Sequence, residues 1–233
     1  MIPERVKIGG LIFDVLERPV VNEDEPSRIG EVDSCSSTIT LESSLPIHTK
    51  LTVLMHEVQH IVDWMTGSDL SHEETDGLSR ILYSILYDNP ILYDCFCVEE
   101  HQKLSIFDII TQPIKIVGIP MTLIEKKLFV AGDLGIDEFT CTVGSDGVGD
   151  GAGDGDYLVY CDSGEQVSII REIGFRKQRL ALALLMIEWA LALIHIDGLE
   201  QDVKFQMACW WMTILMENPG LWPKNVFAFE ELS

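Results

Sequence analysis

A short pattern near the start of the chain comes back later in the sequence. Val6–Glu17 reads apolar-Lys-Ile-x-Gly-apolar and ends in Glu, and Ile114–Glu125 repeats that skeleton 108 positions on. Leu54-Met55-His56-Glu57 runs parallel to Leu185-Met186-Ile187-Glu188, and Ile85–Leu92 runs parallel to Ile214–Leu221, at offsets of 131 and 129. Matches kept in order at such separations predict two copies of one module, 1–100 and 111–233. The increase in offset predicts an insertion in the second copy. The Asp/Gly-rich stretch 142–156 supplies it, read as an acidic linker between two strands because it lacks the ligand spacing and closing Glu of an EF-hand.

Within the first copy, Val6–Val15 reads as a strand pair broken at Gly9-Gly10, followed by short strands at Arg28–Val32 and Thr38–Leu41 with a turn at Asn22–Pro26. Leu51, Leu54, Met55, Val58, Ile61, Val62 and Met65 recur at helical spacing, which predicts a helix from Ile47 to Met65 ended by Gly67. Ser71 and Glu74 form a capping-box pair opening a second helix, and Asn89-Pro90 closes it. The expected fold is α+β: a small antiparallel sheet plus two helices, duplicated in tandem.

The first of these helices contains His56-Glu57-Val58-Gln59-His60, an HExxH motif. Residues four apart share a helical face, so both imidazoles can hold one metal ion, and Glu57 can reach a water bound to it. Zinc would bring the pKa of such a water towards about 7, and the carboxylate would accept its proton. The bland alternative is two surface histidines flanking a solvated Glu. A third ligand is expected from the next helix, with His72 the best placed, Glu73 the alternative and Glu74 third. Asp76, one turn beyond His72, is expected to orient its imidazole.

The segment Leu51–Pro90 resembles the small phage-encoded HExxH proteins related to ImmA/IrrE-type metallopeptidases. The residues that carry the resemblance are His56, Glu57, His60, Asp63, Gly67, Ser71, His72, Leu82, Tyr83, Leu86, Asp88, Asn89 and Pro90. It covers about residues 5–92 and implies a minimal zincin-like, gluzincin-like fold with the third ligand at His72 or Glu73. It further implies a zinc-dependent hydrolase acting on a protein or peptide, in the cytoplasm of a host cell if the chain is phage-encoded. The second copy departs from the pattern, with Ile187 and Leu191 where the histidines stand. It is expected to bind no metal, with Trp189, Trp210 and Trp211 filling the space, and to pack against the first copy.

Composition narrows the remaining classes. A net charge of −22 from 16 Lys+Arg and 38 Asp+Glu argues against a nucleic-acid partner and leaves a second reading, an acidic protein that binds or decoys a basic host protein. A third is a virion or assembly component with a vestigial site. Leu180–Ile196 is almost wholly apolar, yet it is short for a membrane span and carries Glu188 at its centre, so a buried helix is expected. The six cysteines read as reduced thiols, Cys95 and Cys97 near His101 included. Arg171, Arg176, Lys177 and Arg179 read as a small basic patch. Tyr83 and Tyr87 read as core aromatics, the alternative being that one of them stabilises an oxyanion, and His195 as a core or helix-end residue.

Overall fold

The computed structural model describes residues 2–98, 105–126, 139–142, 157–162, 166–170, 175–196 and 198–219. The fold is α+β, with a four-stranded mixed sheet and, among the described residues, six helices. The chain opens with β1 (Arg5–Ile8) and β2 (Leu11–Arg18), an antiparallel hairpin turning at Gly9 and Gly10, which both adopt positive φ. A second hairpin, β3 (Gly30–Asp33) and β4 (Thr38–Glu42), turns where the Asp33 carboxylate accepts from the backbone N–H of Cys35 at 2.9 Å.

The sheet order is β1-β2-β4-β3, and β2 runs parallel to β4. The sheet is therefore mixed, not antiparallel as expected. The eleven residues between Arg18 and Gly30 are the physical reason. A connection that long carries β3 past its neighbour to the outer edge, so the hairpin joins the sheet through β4.

The helix α1 (Ile47–Thr66) covers this sheet, burying Leu51, Leu54, Val58, Ile61 and Val62. Gly67, in the left-handed conformation, ends it. Ser71 caps α2 (His72–Asp88) in a complete capping box with Glu74. Pro90 closes α2 as expected but also opens α3 (Pro90–Cys97), because proline is accommodated at a first helical position. The one-turn α4 (Ile106–Ile109) follows.

A second sheet contains β5 (Ile114–Ile116), β6 (Ile119–Lys126), β7 (Phe139–Thr142), β8 (Tyr157–Asp162) and β9 (Gln166–Ile170), in the order β5-β6-β9-β8-β7. Its first four strands pair as the first sheet does: antiparallel, then parallel, then antiparallel. Residues 143–156 of the acidic loop lie outside the described residues. The apolar stretch belongs to α5 (Phe175–Leu193), with Ala181 to Ile187 and Trp189 to Leu191 buried. Among the described residues, no helix is long and apolar enough to cross a membrane. The chain continues through α6 (Gln201–Glu217).

Two asparagines join the halves reciprocally. Asn218 accepts from the Lys7 N–H at 2.7 Å and donates to the Lys7 carbonyl at 2.7 Å, while Asn89 accepts from the Lys115 N–H at 2.5 Å and donates to the Lys115 carbonyl. Arg179, expected in a basic patch, is instead buried: its Nε donates to the Cys95 carbonyl at 2.6 Å and its guanidinium stacks on Phe175. Arg176 and Lys177 remain exposed, and Arg171 lies outside the described residues.

Candidate metal centre

One face of α1 carries His48, Thr52, His56 and His60, each one turn from the next. Gly67 reverses the chain after α1, and α2 returns with His72 as its first residue. That return brings three imidazoles together. His56 Nε2 and His60 Nε2 are 3.0 Å apart, and one ligand atom from each of His56, His60 and His72 lies within 4.8 Å of the others. Two tetrahedral ligands on zinc would be about 3.3 Å apart, so a small contraction around His72 would suffice to hold a metal ion. The three residues run from buried His56 through half-buried His60 to exposed His72, as expected of a site with one side open. Glu73 lies on the groove beside the cluster and is not part of it.

Burial lowers the pKa of His56 to about 4, helped by its neighbours His60 and His72, and burial likewise lowers that of His60. Both rings are therefore neutral and able to ligate near pH 7. His56 Nδ1 is buried with no hydrogen-bond partner, and the Asp76 carboxylate stands 3.7 Å away. Asp76 thus faces His56, whereas the sequence reading paired it with His72. The side of α2 that holds His72 and Asp76 meets α1 at His56, and Arg80 Nε holds the carboxylate there at 2.9 Å.

Glu57 is wedged between α1 and β3, 5% exposed. Gly30 makes the room: a Cβ there would lie 2.6 Å from Glu57 Oε1 and 2.3 Å from a Val53 methyl. Burial raises the Glu57 pKa to about 7, against the opposing pull of the Arg28 charge and a hydrogen bond from the Val32 backbone. A carboxyl near 7 can both accept and return a proton at neutral pH.

These groups open onto a groove of about 1110 Å³, walled by α1, α2 and β3. Five carboxylates line it, Glu25, Glu31, Glu57, Glu73 and Asp76, against the guanidiniums of Arg28 and Arg80. Both guanidiniums are already tied to carboxylates, Arg28 to Glu25 and Glu31, and Arg80 to Asp76. Tyr83, read as a core aromatic, lines the groove, and its hydroxyl bonds His48 Nδ1 at 2.9 Å.

Sequence reasoning missed Arg28, Gly30 and His48 as groove residues. His48 lies two turns before His56 on one face and could have been found by extending the motif backwards. Arg28 and Gly30 carry no local signal, because only the sheet brings them to α1.

In the second half, Ile187 and Leu191 are buried apolar residues, and Glu188 is paired with Lys204 at 3.0 Å. Trp189 and Trp211 are buried and Trp210 half-buried. Cys95 is buried, which raises its thiol pKa to about 12, and Cys97 is half-buried; His101 lies outside the described residues. His195 stands exposed just beyond the end of α5, with positive φ. Comparison with family models, with curated proteins and with solved structures finds no match to this chain.

Proposed function

We propose that the protein is a zinc-dependent peptidase, with His56, His60 and His72 as metal ligands and Glu57 as general base. The observation that carries this reading is the arrival of His72, from a different helix, with its ligand atom within 4.8 Å of those of the two HExxH histidines, on a groove that a buried carboxyl, Glu57, also lines. Zinc held there would polarise a substrate carbonyl and acidify water. The chain's own groups account for the remainder. Glu57 takes a proton at its carboxylate and passes it to the leaving amine. The charge of Arg28 and a hydrogen bond from the Val32 backbone favour the ionised form of that carboxyl. The outer edge of β3 has no partner strand among the described residues and borders the groove, so an extended peptide can pair with its main chain. Excess carboxylate along the groove suits a substrate with cationic side chains.

The resemblance to phage-encoded relatives of ImmA/IrrE-type peptidases belongs to the same reading, as does a place in the host cytoplasm. So does a tandem duplication of a zincin-like module, supported by the matching strand pairings of the two sheets and the reciprocal Asn89 and Asn218 bonds. The net charge of −22 favours a second reading, an acidic decoy for a basic host protein. That reading gives no role to the imidazole cluster or to the buried Glu57.

The test is Glu57→Gln. Metal analysis should find zinc retained, and peptide hydrolysis should fall by about 10²–10⁴-fold. A variant that cleaves as fast as the wild type overturns the assignment, and a folded wild type that takes up no zinc favours the decoy.

A further inference from the structure

One polar residue of the HExxH motif is absent from the groove lining and has no part in the chemistry above. Gln59 is fully buried, and both ends of its carboxamide are used. Its Oε1 accepts from the indole N–H of Trp211 on α6 at 2.8 Å, and its Nε2 donates to Asp63 Oδ1 at 2.6 Å. Asp63 also accepts from Ser68 Oγ at 2.7 Å and from Thr75 Oγ1 on α2 at 2.9 Å. Trp211, Gln59, Asp63 and Thr75 therefore form one buried polar chain joining α6, α1 and α2.

The direction of this chain is fixed by chemistry. An indole N–H can only donate, so it turns the Gln59 oxygen towards α6 and the Gln59 NH₂ towards Asp63. The Asp63 carboxylate can only accept, so it draws in the hydroxyls of Ser68 and Thr75. With all four members buried, water cannot replace a lost bond, and the unpaired partner would bear the desolvation cost. Ser68 belongs to the turn between the helices, and Thr75 is one turn beyond His72. The chain therefore fixes the place where α2 begins. His72 itself is exposed, and the ring contacts that hold it are those with His56 and His60.

We propose that Trp211, acting through Gln59 and Asp63, is a positioning residue of the metal centre, holding the first turn of α2 so that His72 meets His56 and His60. The second half of the chain, which has lost the ligand residues, is then a structural component of the site in the first half. This inference rests on the metal-binding reading proposed above.

The test measures zinc affinity by competition with a chromophoric chelator, and ligand geometry by the absorption spectrum of the cobalt-loaded protein. Trp211→Phe keeps the aromatic bulk and removes the donor. Thr75→Val keeps the shape and removes the hydroxyl at the other end. Each should weaken zinc by about 10-fold and shift the cobalt band. The double variant should be no weaker than the poorer single variant by more than about twofold, because both cut the same chain. Ile214→Val, a small core loss on α6 away from these bonds, should bind zinc as the wild type does. Two single variants are used so that a failure of one to fold leaves the other decisive. Wild-type affinity in both, or strictly additive losses, overturns the inference while leaving the metal centre standing. A wild-type protein that takes up no zinc overturns the metal-centre reading and this inference with it.

Discussion

Glu57 shows how a buried acidic group ties the stability of the fold to pH. A carboxyl with a folded pKa near 7, against an ordinary value near 4.5, favours folding in its neutral form. That contribution is complete below about pH 4.5 and is lost as pH rises through 7. The metal-free protein should therefore be weaker at pH 8 than at pH 5 by up to about 3 kcal/mol from this group alone. Glu57→Gln lacks the titration, so its melting temperature relative to wild type should rise between those two pH values. An equal difference at both would show that Glu57 is not the buried group described. His56, Glu57 and His60 were legible in the sequence because four-residue spacing on a helix is local geometry. Gly30 was not, because the space it leaves for Glu57 exists only once a strand distant in sequence is laid against the helix.

Among the elements, the start of α2 matters most to the site. The Ser71 hydroxyl accepts from the Glu74 N–H, and the Glu74 carboxylate accepts from the Ser71 N–H at 2.7 Å. Ser71→Ala should cost about 1 kcal/mol of stability and weaken metal binding, because His72 is the next residue. His72→Ala should weaken zinc far more than Glu73→Ala does, and titration of the two variants side by side decides between the ligands that the sequence left open. The capping box and the helix limits could be read from local residue chemistry. Two other features could not. Pro90 reads as a stop, and its second role as the first residue of α3 depends on Asn89, whose side chain donates to the Ile85 carbonyl at 2.7 Å as α2 ends. The parallel pairing of β2 with β4 follows from where a long connection crosses the sheet, which no residue between Arg18 and Gly30 encodes by itself.

Over the whole molecule, charge and connectivity act at different ranges. A net charge of −22 and a groove rich in carboxylates should draw cationic peptides inward. For a Lys- or Arg-rich substrate, kcat/KM should fall steeply between low and physiological salt. For a neutral peptide of equal length it should change little, and equal salt dependence for both would remove charge from the account of specificity. The apolar run in α5 illustrates the limit of composition: it signals burial, but only the fold shows what covers it. Glu188 marks that helix too, and Lys204 supplies its countercharge within the protein.

Asn89 and Asn218 have a consequence for how the polypeptide could be divided. Each carboxamide, standing at the end of α2 or α6, clasps the opening strand of the other half, so the two pieces are stitched twice by bonds that owe nothing to the covalent link between them. Severing that link should leave a pair that finds and keeps its mate, whereas expressing either piece alone would strand a clasp and an apolar flank with nothing to close on.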